Sequence, residues 1–283
     1  MKNDEKEIFF ANSFSVGEKS LFYYSNQLVL KRPTIIFIHG FPDGPDVWFS
    51  LAKNFSAEFN IVMPYLPGVH PNCKNTTFML ESFLLECLLL LKELKITDNL
   101  FLIGHDIGGV VVDRLSHLLG KKCKGITFIN TMGLSLYSEN LTWKQILKSW
   151  YVPIFSSGLG KKLLDRSKNL GKKLIKKMDE TVDERKIPGR LDSIGLYQEF
   201  FQSLPNLSKE EKINSIKTLF IFSEDDPFVQ IPEKRTVLRY YPHGIIRVVE
   251  GGHWEFTKRV KYFYEIINQQ INFCGDKNGH IAI

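Results

Sequence analysis

The chain has 283 residues, 43% of them hydrophobic and 24% charged, which is typical of a globular protein with a sizeable core. Its formal net charge is +6, and no apolar run is long enough to span a bilayer. The cysteines, Cys73, Cys87, Cys123 and Cys274, form no C-x-x-C pair, which argues against a zinc site and indicates free thiols. With the charged N-terminus, MKNDEKEIFF, these features predict a cytoplasmic protein without a metal.

The first half of the chain alternates strand and helix patterns. Ile8–Phe10 and Leu21–Tyr24, on either side of Gly17, predict a β-hairpin. The apolar runs PTIIFIHG and FNIVMPYLPG are typical of strands buried on both faces. A helical pattern over 78–94 follows, and then NLFLIGHD, a second helix and CKGITFIN. This alternation indicates a parallel sheet with right-handed crossovers.

After Asn130 the alternation stops. Residues 134–212 have a helical pattern without a convincing strand, before KTLFIFSEDD and GIIRVVEGGHW restore the pattern of buried strands. EFTKRVKYFYEIINQQI predicts an amphipathic helix, and CGDKNGHIAI a loose tail. The interpretation is a core of residues 1–133 and 213–283 with a helical cap, 134–212, inserted into it. Such an insertion would lie over the carboxyl ends of the strands, where these sheets bind ligands.

A basic segment lies within the predicted cap. Residues 161–177 contain eight Lys or Arg and one acid, with leucines at helical spacing between them. The preferred interpretation is a surface helix with a solvated basic face; peripheral contact with a membrane or an acidic partner is the alternative. Stable membrane insertion is not expected. Nucleic-acid binding has no supporting motif, and the sequence carries no sign of an oligomeric state.

Candidate catalytic residues lie at the ends of the predicted strands. They are His39-Gly40-Phe41-Pro42, Asp106, Asp225-Asp226 and His253. Because the carboxyl ends of parallel strands meet at one edge, residues far apart in sequence can come together there. Asp106 lies in the frame G-x-D-x-G, which has the form of a nucleophile elbow with a carboxylate in place of serine. His39 is expected to order its own loop by hydrogen bonds.

These motifs resemble those of the α/β hydrolases of the epoxide hydrolase and haloalkane dehalogenase group. HGFPD resembles the oxyanion-hole loop, GHDIGG the aspartate elbow, and GGHWEF the loop that carries the histidine. FSEDDPFV resembles the turn that delivers the acid, which is Asp226 in that register, with Asp225 as the alternative. MPYLPG resembles a P-x-x-R-G loop in which Pro67 replaces the arginine. The resemblance implies the α/β-hydrolase fold: a mostly parallel eight-stranded sheet, flanking helices and a helical cap after the sixth strand.

The resemblance also implies roles for these residues. A carboxylate is already anionic at pH 7 and suits attack on a saturated carbon, so Asp106 would form an ester. His253, held by Asp226, would then activate a water molecule. The backbone N–H groups of Phe41 and Ile107 would stabilise the oxyanion that results.

Epoxide hydrolases and haloalkane dehalogenases differ in the leaving group that the enzyme must stabilise. Haloalkane dehalogenases typically have tryptophan after the nucleophile and asparagine or glutamate after the HG pair, whereas this chain has Ile107 and Phe41 there. SWYVPIFSS and IGLYQEFF resemble the lid segments that carry the two proton-donating tyrosines of epoxide hydrolases. This points to Tyr151 and Tyr197 as donors, since a phenol stays protonated at neutral pH.

The aromatic residues of the cap predict a small apolar substrate, with Trp150, Phe155 and Trp254 in contact with it. The working hypothesis is an epoxide hydrolase that forms a vicinal diol without a metal or an organic cofactor. One alternative is a haloalkane or haloacetate dehalogenase with the same nucleophile, which would release halide. Another is a hydrolase-fold protein that only binds a small ligand, in which Asp106→Asn would leave binding unchanged.

Overall fold

The computed structural model describes residues 8–17, 19–72, 79–140, 142–148, 173, 176 and 213–275. The strands are β1 (Phe10–Val16), β2 (Lys19–Ser25), β3 (Thr34–Ile38), β4 (Asn60–Pro64), β5 (Leu100–His105), β6 (Cys123–Ile129), β7 (Thr218–Ser223) and β8 (Gly244–Val249). The α-helices in the described ranges are α1 (Phe49–Lys53), α2 (Leu80–Glu93), α3 (Ile107–Leu119), α4 (Leu134–Glu139), α5 (Trp143–Lys148), α6 (Lys234–Tyr240), α7 (Glu255–Lys258) and α8 (Val260–Gly275). None of these helices is long and apolar enough to cross a membrane.

The strands form one sheet in the order β1-β2-β4-β3-β5-β6-β7-β8. The β1–β2 and β2–β4 pairs are antiparallel, and the remaining pairs from β4 to β8 are parallel. The predicted hairpin and the mostly parallel eight-stranded sheet are therefore confirmed. Because β3 to β7 run in one direction, their carboxyl ends share one edge, as the sequence predicted.

Helices cover both faces of the sheet. A Cβ atom at Gly104 would meet α3, whereas one at Gly125 would meet Cys274 of α8. Gly125 pairs with Phe101, three positions before Gly104, and side chains alternate between faces along a strand. Consequently α3 and α8 lie on opposite faces, and the central strands between them are buried on both sides, as their apolar runs predict.

Some elements differ from the sequence prediction. β8 was predicted to be buried, but Ile245 is 38% exposed and Val248 46% exposed because β8 is the edge strand. The C-terminal helix continues to Gly275, into the segment predicted to be a loose tail. The short helices over 45–53 and in α6 were not predicted, since each is too short to show a clear period.

A buried polar network connects the two places where the predicted cap joins the core. The hydroxyl of Tyr241 donates to Oδ1 of Asp113 at 2.8 Å, and Nδ2 of Asn214 lies 3.2 Å from the same oxygen. Nδ2 of Asn214 also lies 2.7 Å from the Ser116 hydroxyl. A Cβ atom at Gly133 would collide with both the Tyr241 hydroxyl and the Asp113 carboxyl. The residues at the two predicted junctions therefore lie beside one carboxylate, whose pKa is raised by burial.

Candidate active site

Asp106 occupies the sharp turn between β5 and α3. Its backbone angles are φ 50° and ψ −125°, a region that residues other than glycine rarely adopt, and the surrounding structure must hold it there. The flanking glycines make the turn tight. A Cβ atom at Gly108 would lie 2.3 Å from the carbonyl oxygen of Ile38, and one at Gly104 would lie 2.7 Å from the carbonyl oxygen of Gly108. The G-x-D-x-G frame is therefore a requirement of close backbone packing.

Two backbone N–H groups bind the Asp106 carboxylate. The N–H of Phe41 donates to Oδ2 of Asp106 at 3.0 Å, and the N–H of Ile107 also donates to this carboxylate. These are the two residues predicted to form the oxyanion hole. Oδ2 of Asp106 is therefore held by the loop that carries Phe41.

His39 orders the loop that carries Phe41, as expected. Its Nε2 accepts the N–H of Leu66 at 3.1 Å, so its Nδ1 carries the proton and donates to the carbonyl oxygen of Gly40 at 2.8 Å. The HGFPD loop is thereby bound to the loop that follows β4.

The structure brings His253 and Asp226 together. Nδ1 of His253 lies 2.8 Å from Oδ2 of Asp226, and both residues are buried. The other oxygen of Asp226 accepts the N–H groups of Phe228 at 2.7 Å and of Val229 at 3.1 Å. Asp225 is exposed to solvent. Thus Asp226, the residue in register with the motif, orients the imidazole, and Asp225 does not.

The charges in this site depend on one another. Burial raises the pKa of Asp106 against the opposing effects of His253 and the two N–H groups. Burial alone would lower the pKa of His253, but Asp226, Asp106 and Asp43 together outweigh it and raise that pKa. The proton affinity of His253 therefore depends in part on whether Asp106 is ionised.

Comparison with known proteins agrees with this arrangement. Residues 33–155 match the family described as alpha/beta hydrolase fold. Mouse (Mus musculus) Epoxide hydrolase 4 is 24% identical over 253 residues, which cover 79% of this chain and 68% of that protein.

Solved structures show the same architecture. An epoxide hydrolase from Bacillus megaterium, in complex with an inhibitor, has a TM-score of 0.72 and 17% identity over 92% of this chain and all of its own. Cfl2 from Burkholderia cenocepacia has a TM-score of 0.76 and 13% identity, covering 92% of this chain and 95% of its own. The chain has the α/β-hydrolase fold. The resemblance to the epoxide hydrolase group that the motifs indicated is confirmed.

Two residues of this α/β-hydrolase fold that hold the histidine loop were not predicted. The Nε2–H of His105 and the Nδ2–H of Asn130 both donate to the carbonyl oxygen of His253, at 3.0 Å and 2.8 Å. Burial and the neighbouring His253 place the pKa of His105 well below its usual value, so this ring is neutral. Oδ1 of Asn130 also accepts the N–H of Ser223. His105 is the second residue of GHDIGG, but the motif does not indicate where its ring points.

Trp254 lies beside the imidazole of His253. Its indole N–H donates to Oδ2 of Asp43 at 2.8 Å, and its ring centre is 4.7 Å from that of His253. The indole is buried and supports the histidine loop, so its predicted contact with substrate stays a prediction.

The other predicted cap residues, Trp150, Tyr151, Phe155 and Tyr197, lie outside the described residues. Of the basic segment 161–177, Lys173 and Lys176 are described, and both are exposed. Within the described ranges, no cluster of three His, Cys, Asp or Glu side chains could hold a metal ion.

Proposed function

We propose that this protein hydrolyses epoxides to vicinal diols through a covalent ester on Asp106. The observation that carries the proposal is a half-buried carboxylate at the nucleophile elbow, bound by two backbone N–H groups, in the same site as a His253–Asp226 pair. A carboxylate needs no base to become a nucleophile, so it can open a strained ring directly. The epoxide hydrolases among the relatives support the same reaction class.

The first step forms the ester. The carboxylate oxygen of Asp106 that is not held by Phe41 attacks an epoxide carbon, and the carbon–oxygen bond of the ring breaks. The oxygen that leaves takes a proton from Tyr151 or Tyr197 of the predicted cap. The aromatic composition of the cap supports a small apolar epoxide as the substrate.

The second step hydrolyses the ester. His253 removes a proton from water, and the hydroxide attacks the carboxyl carbon of Asp106. The N–H groups of Phe41 and Ile107 stabilise the oxyanion. The intermediate then collapses, the protonated His253 returns its proton to the departing alkoxide, and the diol is released. The proton of the new Asp106 carboxyl group restores the tyrosine.

Ester formation prepares His253 for this second step. The negative charge of Asp106 is one of the causes of the raised pKa of His253. Because the ester is neutral, that contribution disappears once Asp106 is alkylated. The pKa of the imidazole then falls, so more of His253 is in the neutral form that can accept a proton from water.

Intact-protein mass spectrometry tests the proposal. Wild type and His253→Gln are incubated with aryl and alkyl epoxides, because removing the base should stall the second step. The expected result is a mass increase equal to that of the epoxide, located on Asp106 and absent in Asp106→Asn. An adduct formed only with haloalkanes, with release of halide, would instead indicate a dehalogenase. No adduct with either panel would contradict the proposed mechanism.

We also propose a cytoplasmic location. Cys87, Cys123 and Cys274 are free thiols, which is usual for proteins kept in a reducing compartment.

A further inference from the structure

The start of the predicted cap is bound to the loop that carries the triad acid. Residues 226–230, which follow β7, are called the acid loop here. Nδ2 of Asn140 donates to the carbonyl oxygen of Gln230 at 3.0 Å, and the Thr142 hydroxyl donates to Oε1 of the same glutamine at 2.5 Å. The chain therefore contacts the acid loop just before α5 begins.

Gln145 binds the acid loop in both directions. Its Nε2 donates to the carbonyl oxygen of Phe228 at 2.8 Å, and its Oε1 accepts the N–H of Gln230 at 2.7 Å. The residue is 1% exposed, so water does not compete for these bonds. A buried amide that loses either partner leaves an unsatisfied polar group, which is unfavourable because water cannot replace the lost bond. This pairing therefore fixes α5 and the acid loop relative to each other.

Lys148 makes a second connection from α5, one turn beyond Gln145. Its ammonium group donates to the carbonyl oxygen of Asp226 itself and, at 3.2 Å, to that of Val229. Meanwhile the N–H groups of Phe228 and Val229 point inward to the Asp226 carboxylate. The peptide groups of the acid loop thus face two ways, with N–H groups toward the triad and carbonyl groups toward α5.

We propose that Gln145 and Lys148 are positioning residues for Asp226, so that the His253–Asp226 pair works only while α5 is docked on the acid loop. This inference rests on the proposed function. Neither side chain is placed on the reacting atoms; each acts through backbone carbonyls of the acid loop. Attack by Asp106 does not use the His253–Asp226 pair, whereas hydrolysis of the ester does. Loss of either side chain should therefore slow the second step selectively.

A single-turnover time course with intact-protein mass spectrometry separates the two steps. In Gln145→Leu and Lys148→Met, the rate of ester formation should stay within about threefold of wild type. The rate of ester hydrolysis should fall about 10- to 100-fold, the size expected when a catalytic group moves by about 1 Å. The ester should then accumulate. Lys148→Arg, which retains the charge and the donors, should restore hydrolysis.

Two matched variants serve as controls. Gln270→Met removes a buried glutamine on α8 that bonds to Cys274, and Lys234→Met removes an exposed lysine on α6. Both should leave the two rates unchanged. Equal slowing of both steps in the α5 variants, or no slowing of either, would overturn the proposal.

A spectroscopic readout does not depend on the substrate. The proton between Nδ1 of His253 and Asp226 should give a low-field NMR resonance in the resting protein. It should move upfield or broaden in Lys148→Met and Gln145→Leu but not in Lys234→Met. An unchanged resonance in both α5 variants would contradict the positioning role even if no epoxide reacts. A changed resonance without any ester in His253→Gln would instead count against the proposed function alone.

Discussion

Gly40 packs so closely against Asp106 that a side chain at residue 40 would collide with the carboxylate. A Cβ atom at residue 40 would lie 2.5 Å from Cβ of Asp106 and 2.9 Å from its Oδ2. Real Cβ atoms do not approach this closely, so the HGFPD loop and Asp106 would have to separate. The glycine of HGFPD is therefore needed for the contact between Phe41 and the carboxylate.

Gly40→Ala should preserve the fold and lower the rate of ester formation by about 100-fold, because a shift of about 1 Å misplaces the nucleophile. The single-turnover rate with an epoxide measures this effect. Gly275→Ala is the control, since a Cβ atom at residue 275 meets no other group among the described residues. Full activity in Gly40→Ala would contradict the packing argument.

Substitution of the two neighbouring aspartates, Asp225 and Asp226, should have sharply different effects on ester hydrolysis. Asp226→Asn should slow ester hydrolysis by about 10³- to 10⁴-fold, as expected when the group that orients a catalytic histidine loses its charge. Asp225→Asn should stay within about twofold of wild type because the side chain is exposed. Accumulation of the ester in the first variant is the decisive measurement. Accumulation in the second variant instead would reverse the assignment.

Ester formation should depend on pH through Asp106. Burial raises the pKa of this carboxyl, and only the ionised form attacks, so the rate should fall as pH drops through the raised value. The charge on His253 opposes that rise. In His253→Gln, the midpoint of the acid limb should therefore move to higher pH. Pre-steady-state ester formation across pH checks this, and an unmoved midpoint would show that the two groups do not interact.

Asp106→Asn should stabilise the protein at pH 8. Because burial raises the pKa of Asp106, the folded state binds its proton more readily than the unfolded state, and the ionised carboxylate opposes folding above that pKa. A neutral amide should raise the unfolding midpoint by about 2–4 °C, equivalent to about 1 kcal/mol. The difference should shrink as pH falls through the raised pKa. Calorimetry at pH 8 and pH 5 measures both effects, and a lower midpoint at pH 8 would be the opposite result.

The predicted cap tyrosines should act in the first step. Tyr151→Phe and Tyr197→Phe should each slow epoxide opening by about 100-fold, the usual contribution of a positioned acid, and leave hydrolysis of the ester unchanged. Rapid quenching after mixing with an epoxide measures both rates. Tyr262→Phe, at a partly exposed position on α8, is the control. Slowed hydrolysis with normal opening would exclude either tyrosine as the donor.

The sequence was most informative where local backbone geometry restricts residue type. Close packing requires the glycines beside Asp106 and the apolar strands that precede each predicted site residue. From these positions the sequence predicted that the site residues lie at one edge of the sheet. His105 and Asn130 are different, because each reaches the carbonyl oxygen of His253 more than 100 residues away. No local sequence pattern indicates a contact over such a distance along the chain. The exposure of β8 has the same cause, since an apolar strand gives no sign of whether a neighbour pairs with its outer edge.

Both junctions of the predicted cap meet at Asp113, one through the Tyr241 hydroxyl beside Gly133 and the other through Asn214. Both ends of the predicted cap, residues 134–212, are therefore anchored at one place on the core. A segment anchored at both ends in this way can differ in length without altering the pairing of the strands. The segment predicted to contact the substrate can thus vary while Asp106 and His253 keep their positions in the core.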